Sequence, residues 1–248
     1  MSTREDVTED RFLGGRIVLR QSAKGYRAGI DAVLLAAGLD VRPGGHGVEL
    51  GCGPGAALLC AALLQPDLYL TGVEADPQAA ALARQNVVAN GLEPRVGIVE
   101  ADAFDWRPDA PVDAVFFNPP FFDDPRTLRA PAEAKRAAWL TAHALADWIG
   151  AGARMLKRGG SLTLVHRADR LGESLSGCAA AKLGSISVLP VQPRADRPAK
   201  RILVRAVRDG RAPLRLLPAL VLHDEGPGQY APFAEAVLRG EARLALTA

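Results

Sequence analysis

The stretch Glu49-Leu50-Gly51-Cys52-Gly53-Pro54-Gly55 decides the fold of this chain. It follows a short apolar run, and the residues after it form a helical pattern. Glycine permits the sharp turn between a strand and a helix and leaves no side chain between the backbone and a ligand. The G-x-G-x-G spacing differs from the G-x-G-x-x-G of dinucleotide-binding proteins. The stretch therefore predicts a strand, a ligand-binding loop and a helix.

Short apolar segments and helical segments alternate along the chain on both sides of this loop. We expect strands near residues 46–50, 68–74, 95–99, 112–117 and 161–166, and helices near 55–65, 77–90 and 133–157. Such alternation predicts a parallel sheet with right-handed crossovers. Two more strands, near residues 185–191 and 201–207, have only a turn between them, which predicts an antiparallel pair.

Capping residues mark two helices. Asp76 is a predicted N-cap, Pro77 fills the first helical position, and Asn90-Gly91 ends the helix. Asp31 is the predicted N-cap of an earlier helical run, residues 32–36, which follows a short strand at Ile17-Val18-Leu19. We expect residues 1–10 to be flexible because they are polar and acidic, and residues 11–248 to form a single domain.

Composition limits the class of protein. The chain has 248 residues, of which 48% are hydrophobic and 23% charged, with a net charge of +2. No apolar run is long enough for a membrane helix, and the N-terminus lacks a signal-peptide pattern, so we expect a cytoplasmic protein. The cysteines and histidines are scattered, which argues against a disulfide framework and a metal site. We also expect a monomer.

Acidic residues at strand ends indicate what the loop binds. Glu49 disfavours a phosphate and favours a cationic ligand with an amino group. S-adenosylmethionine is such a ligand. Glu74, with Ala75 beside it, ends the next strand, where an acid can accept hydrogen bonds from both ribose hydroxyls. Asp102 follows the third strand and could accept from the adenine amino group, while Ala103 offers its backbone N–H. The alternative is a loop and strand-end acids such as any doubly wound protein contains.

A second motif, Asn118-Pro119-Pro120-Phe121, directly follows the apolar run Val112–Phe117. The side-chain oxygen of Asn118 and the carbonyl of Pro119 can accept the two N–H groups of a planar amine. Two acceptors favour a pyramidal nitrogen with a localised lone pair, so no strong base is required. The prolines stiffen the turn, and Phe121 offers a stacking surface for a base. We expect Phe116, Phe117 and Phe122 to lie in the core.

The order of elements and both motifs together predict the class I methyltransferase architecture. This α/β, Rossmann-like fold has a seven-stranded, mostly parallel sheet with an antiparallel final strand and helices on both faces. The resulting hypothesis is an enzyme that moves a methyl group from S-adenosylmethionine to an exocyclic amino nitrogen.

The sequence also resembles the bacterial tRNA(Val) adenine-N6 methyltransferase family. The resemblance covers most of the chain from about Phe12 and rests on five stretches, namely residues 12–16, 25–35, 49–55, 118–121 and 199–205. It implies that Tyr26, Arg27, Gly29 and Asp31 help to bind the cofactor, because the segment equivalent to residues 26–29 closes over the methionine end in relatives. The family often has tyrosine where Phe121 stands, and phenylalanine occurs in related rRNA enzymes.

The sequence leaves several alternatives for the molecule that accepts the methyl group. Adenine N6 in tRNA is our first expectation. Guanine N2 in rRNA, a glutamine side chain of a protein, and a non-catalytic nucleoside- or RNA-binding module of the same fold are the others. If RNA is the substrate, its phosphates require a local basic patch. Two stretches qualify: Arg126, Arg129, Lys135 and Arg136, and then Arg194, Arg197, Lys200 and Arg201.

Overall fold

The strand predicted before the glycine-rich loop is an interior strand of a large sheet, and the predicted helix follows the loop. The structure is a computed structural model and describes residues 7–23, 27–119, 144–224, 226 and 228–247. Its strands are β1 (Val7–Phe12), β2 (Ile17–Ser22), β3 (His46–Leu50), β4 (Tyr69–Glu74), β5 (Val96–Glu100), β6 (Val112–Phe117), β7 (Leu156–Arg167), β8 (Leu183–Gln192), β9 (Arg201–Arg208), β10 (Arg215–Leu216) and β11 (Leu220–Val221). Its helices are α1 (Ile30–Ala37), α2 (Ala56–Leu64), α3 (Pro77–Ala89), α4 (Leu145–Met155), α5 (Leu171–Ala180) and α6 (Pro232–Leu238).

Within the described residues, nine strands form the main sheet in the order β10-β8-β9-β7-β6-β3-β4-β5, with β11 beside β8. The strands from β5 to β7 are parallel, whereas β9 runs antiparallel to both β7 and β8. This confirms the predicted fold class, and β10 and β11 extend the sheet beyond the expected seven strands. The carboxyl ends of β3 to β7 meet at one side of the sheet, which we name the upper edge. The opposite side is the lower edge.

Helices cover both faces of the sheet, as predicted. One apolar cluster joins α1, α2 and part of α3 to the face that carries Phe116, and a second joins α4 and α5 to the face that carries Phe117. These neighbouring phenylalanines point to opposite faces because side chains alternate along a strand. Both are fully buried, which confirms that they belong to the core.

The predicted helix starts are partly confirmed. Asp76 caps α3 through its carboxylate, which accepts from Gln78 N at 2.8 Å, and Pro77 is the first helical residue. The prediction for Asp31 was wrong: α1 begins at Ile30 after Gly29 and has no side-chain cap. The Asp31 carboxylate instead accepts from Arg201 Nε at 3.0 Å, a contact between distant parts of the chain.

Two predicted segments differ in extent. The expected strand near residues 161–166 is the longer β7, and the expected helix near 133–157 is α4, since residues 133–143 fall outside the described residues. Helix α5 was not predicted. Among the described residues, no helix is long and apolar enough to cross a membrane.

The expected flexible segment, residues 1–10, is partly structured. From Val7 onward it forms β1, which pairs with β2 in an antiparallel hairpin separate from the main sheet. The acidic composition suggested a solvated segment and concealed this strand. In the structure, the Asp10 carboxylate accepts from Gln21 Nε2 at 2.7 Å and from Arg27 at 2.5 Å. Residues that appear solvated in the sequence therefore make specific contacts.

Candidate active site

The glycine-rich loop has a backbone that only glycine adopts readily. Gly51, Gly53 and Gly55 have φ angles of +64°, +54° and +92°. A Cβ at Gly53 would meet no atom within 4 Å, so this part of the loop borders open space. In contrast, a Cβ at Gly51 would approach the ring of Trp148 to 3.0 Å. The loop therefore needs glycine for its conformation, and at Gly51 also for the close packing beneath it.

Trp148 supports the loop from α4. Its ring makes an edge-to-face contact with Phe104 at a centroid distance of 5.1 Å and lies 5.9 Å from the ring of Phe117. Such aromatic contacts fix ring positions through packing and electrostatics. The sequence motifs did not reveal Trp148, because only the folded chain brings α4 beneath the loop.

Glu74 connects the loop to the neighbouring strand end. The N–H of Gly53 donates to Glu74 Oε2 at 2.7 Å, and the N–H of Asp76 donates to Oε1 at 2.9 Å. The side chain is buried. Both carboxylate oxygens are thus held in place, and each retains capacity for a second hydrogen bond. The loop and the predicted ribose-binding acid form one unit.

Asp102 and Ala103 lie beside Glu74 at the upper edge. The preceding residue, Ala101, donates its N–H to the carbonyl of Glu74 at 3.0 Å. Asp102 uses Oδ1 to accept from Phe104 N at 2.8 Å, so this carboxylate also shapes its own turn. Ala103 is buried. Their predicted contacts with adenine remain predictions.

Glu49 lies at the end of β3 and is buried. Burial raises its pKa well above the usual value, and the nearby charge of Glu74 adds to this rise, while the backbone N–H of Leu58 opposes it. Glu49 Oε2 has no hydrogen-bond partner among the described residues. A buried acceptor of this kind is costly, and a cationic group would satisfy it.

Arg27 and Gly29 precede α1, and contacts of the Arg27 side chain and of the Ala28 backbone tie this segment to the N-terminal hairpin. Arg27 donates to Asp10 and also to Thr8 Oγ1, the latter at 2.6 Å. The buried side chain of Gln21 accepts from the N–H of Ala28 at 2.9 Å. Tyr26, predicted with them, lies outside the described residues. The structure therefore shows what positions this segment, and its cofactor contacts remain predictions.

Asn86 is a site-supporting residue that the sequence did not reveal. It lies on α3 and is fully buried. Its Nδ2 donates to the carbonyl of Pro54 at 2.9 Å and to that of Arg20 at 2.8 Å, while Oδ1 accepts from Arg20 N at 2.9 Å. Asn86 thus joins the glycine-rich loop to the N-terminal hairpin.

The second motif begins at the upper edge, directly after β6. Strand β6 pairs with β3, the strand that leads into the glycine-rich loop, and Glu49 is in register with Phe116. The Asn118 Oδ1 atom is shielded from solvent, and Pro119 is buried. Pro120 and Phe121 lie outside the described residues. The structure therefore brings Asn118 and Pro119 to the same edge as the loop.

One predicted basic stretch also lies at the upper edge, where β9 begins. Arg201 pairs with Asp31, and Arg194 donates to the carbonyl of Asp224 at 2.5 Å. Lys200 is exposed, as is Arg197. The other stretch, Arg126, Arg129, Lys135 and Arg136, lies outside the described residues.

The arrangement fits S-adenosylmethionine. The open space at Gly53, the fixed Glu74 carboxylate and the buried Glu49 oxygen suit a nucleoside with a cationic amino-acid end. No group of three metal-binding side chains occurs in the described part of the chain. The fold and the site define a class I S-adenosylmethionine-dependent methyltransferase.

Comparison with known proteins supports the same class. The model of the family called methyltransferase small domain matches residues 27–178, more than half of the sequence, and the chain belongs to this family. It is an S-adenosylmethionine-dependent N-methyltransferase, which confirms the predicted enzyme class and cofactor.

Named relatives narrow the comparison. The tRNA1(Val) (adenine(37)-N6)-methyltransferase of Aeromonas salmonicida is 31% identical over 72% of this chain and 75% of its own. The protein of the same name from Porphyromonas gingivalis is 30% identical over 78% of this chain and 79% of its own. These matches confirm the family resemblance.

A solved structure shares the fold. It is described as a predicted O-methyltransferase from Agrobacterium tumefaciens, has a TM-score of 0.71 and is 26% identical. The match covers 86% of this chain and 98% of that one.

Proposed function

We propose that this enzyme methylates the N6 amino group of an adenine in tRNA. The observation that carries the proposal is the position of Asn118 and Pro119, directly after β6 and beside the strand that leads into the glycine-rich loop. The names of the relatives support adenine in tRNA as the acceptor. The cell compartment that fits this substrate is the cytoplasm, and we propose a monomer.

The residues of the site would divide the work between binding and positioning. Glu74 would accept from the ribose hydroxyls, Glu49 would face the cationic end of S-adenosylmethionine, and Asp102 would accept from its adenine. The cofactor supplies a methyl group on a positively charged sulfur. The glycine-rich loop, held by Glu74, would keep that end of the site free of side chains.

Asn118 and Pro119 would orient the acceptor. The Asn118 side-chain oxygen and the Pro119 carbonyl would each accept one N–H of the adenine amine, which favours a pyramidal nitrogen whose lone pair is localised and no longer delocalised into the ring. Amide oxygens are weak bases, so these residues orient the amine and do not remove its proton before attack. The target base must leave its stack to reach them, and Phe121 would offer the surface that receives it.

One experiment tests the proposal directly. The enzyme is incubated with tritiated S-adenosylmethionine and separated tRNA, rRNA and protein fractions, and labelled RNA is digested to nucleosides. We expect label in tRNA as N6-methyladenosine. Label in rRNA as N2-methylguanosine, or in protein alone, would overturn the assignment. Phe121 is the residue that makes the rRNA arm necessary, because phenylalanine occurs at this position in related rRNA enzymes.

A further inference from the structure

A basic depression lies at the lower edge of the sheet, far from the active site. It is open to solvent and has a volume of about 660 Å³, where the end of β9 meets the starts of β7 and β8. Four cations and one carboxylate line it: Arg158, Lys182, Arg208, Arg211 and Asp209. The excess of positive charge makes the depression suitable for an anion with several charged oxygens.

The depression is separated from the active site by the length of a strand. Strand β9 begins at Arg201 on the upper edge and ends at Arg208 in the depression. Seven residue steps in an extended strand cover about 23 Å. No part of S-adenosylmethionine bound at the glycine-rich loop can extend this far, so the depression is separate from the cofactor site.

The walls of the depression are fixed. Arg208 Nη1 donates to the carbonyls of Ala153 and Leu156, both at 2.7 Å, which anchors its guanidinium. A Cβ at Gly184 would come within 2.1 Å of the carbonyl oxygen of Gly210, so the start of β8 and the turn after β9 touch through their backbones. A guanidinium held in this way loses little entropy when it binds an anion.

Backbone strain is concentrated at the rim. Lys182, Ser185 and Asp209 have φ angles of +58°, +48° and +59°, and they account for three of the four non-glycine residues with positive φ in the described part of the chain. Such conformations cost about 1–3 kcal/mol each and tend to persist at functional positions. Lys182 and Asp209 themselves line the depression.

We propose that this basic depression binds phosphates of the substrate RNA at a point remote from the methylated base. The inference rests on the proposed function, because it takes RNA as the substrate. A folded RNA presents phosphates continuously along its backbone, so it can reach from the upper edge to the lower edge. Arg211 and Lys182 supply charge to the phosphates, while Arg208 provides a fixed fork of donors.

The test variant is Lys182→Gln with Arg211→Gln, which leaves the anchored Arg208 intact. The control is Arg11→Gln with Arg239→Gln, which removes two charges near the N-terminal hairpin and at the end of α6. Within the described residues, the ion pairs of these two side chains lie at the surface: Arg11 pairs with Glu9, and Arg239 pairs with Glu235 and Glu241. Thermal melting of both variants, and calorimetry with S-adenosylmethionine, establish that the fold and the cofactor site are unchanged.

The measurement is tRNA affinity by filter binding between 50 and 250 mM salt, in the range where counterion release dominates. Loss of two phosphate contacts should reduce the magnitude of the negative slope of log affinity against log salt by about 2. The affinity of the test variant should also be about tenfold weaker at the middle of the salt range. The control should show neither change. A slope equal to that of the wild type would overturn the proposal. The proposal would also be overturned if the test variant lost only the binding of inorganic pyrophosphate and bound tRNA as the wild type does.

The binding measurement does not require turnover. If wild-type enzyme transfers no methyl group to tRNA, the proposed function fails, and the slope still tests the depression with the rRNA fraction as ligand. If tRNA is methylated and the slopes agree, only the depression fails as an RNA site.

Discussion

Asn86 Nδ2 donates to the carbonyl of Pro54 at 2.9 Å, and this bond joins α3 to the glycine-rich loop. Asn90, one turn later at the C-cap of the same helix, also bonds to the N-terminal hairpin, through Val18, but makes no hydrogen bond to the loop among the described residues. Both asparagines therefore contact the N-terminal hairpin, whereas the contact with the glycine-rich loop is made by Asn86. They form a natural pair for separating stability from cofactor binding.

We predict that Asn86→Ala weakens S-adenosylmethionine binding about tenfold, because the loop loses a buried hydrogen bond that fixes its backbone. The same change should lower the free energy of unfolding by about 2–4 kcal/mol, since buried polar groups lose their partners. Asn90→Ala should be destabilising with cofactor affinity nearly unchanged. Calorimetry and denaturant melts measure both quantities, and equal losses of affinity in the two variants would contradict this role of Asn86.

Glu74→Ala should reduce S-adenosylmethionine affinity at least tenfold. The change removes the predicted partner of the ribose hydroxyls and also leaves the N–H groups of Gly53 and Asp76 without their acceptor. Glu100 is a matched control, because it is the register partner of Glu74 on β5 and is exposed. Glu100→Ala should bind the cofactor normally. Titration calorimetry of the two variants shows whether cofactor affinity depends on the position of the carboxylate or only on the loss of one negative charge.

Asn118→Ala should lower kcat about 10³-fold while the affinity for S-adenosylmethionine changes little. The expected loss corresponds to removal of one preorganised hydrogen-bond acceptor from the reacting amine. Single-turnover methyl transfer, combined with calorimetric titration of the cofactor, separates the two effects. A variant that retains most of its turnover would show that Asn118 does not orient the amine.

Glu49 should release a proton when the cofactor binds. Burial raises its pKa, Glu74 adds to the rise, and the thiols of Cys52 and Cys60 are the other titratable groups that interact with it. A cationic ligand stabilises the ionised form, so affinity should increase with pH up to the pKa of the free protein. Calorimetry in buffers of different ionisation enthalpy should detect this proton for wild type and not for Glu49→Gln. Buffer-independent enthalpies for wild type would refute the prediction.

His166 should make stability depend on pH. Burial lowers its pKa to about 4, with Glu173 and Asp169 acting in the opposite direction. The unfolded chain therefore binds more protons between about pH 4 and 6.5, and stability should fall as pH decreases through this window. The loss should reach about 1–3 kcal/mol. His166→Gln should flatten the curve of unfolding free energy against pH relative to wild type, and identical slopes would contradict the assignment.

The sequence predicted those features that depend on local patterns. The cap at Asp76 and the glycine-rich loop are coded by adjacent residues, and each appears where its pattern indicated. Asp31 was misread because an aspartate before a helical run usually caps it, whereas here Arg201 takes the carboxylate. That partner is 170 positions away, and no local pattern announces it.

The supporting residues of the site could not be predicted for a related reason. Trp148 and Asn86 act on the loop from other helices, and their roles exist only once the sheet has brought those helices beneath and beside it. Strand β1 was missed because its acidic residues suggested solvent, although Asp10 is held by Gln21 and Arg27.

The hairpin of β1 and β2 has a further consequence for solubility. The free side of a strand is a template for aggregation, because its unpaired backbone groups can recruit another chain. On β2 these groups at Val18 and Arg20 are taken by the side-chain amides of Asn86 and Asn90. Two asparagines one helical turn apart thus imitate a neighbouring strand. The protein closes this side of the hairpin against self-association without adding another segment of backbone.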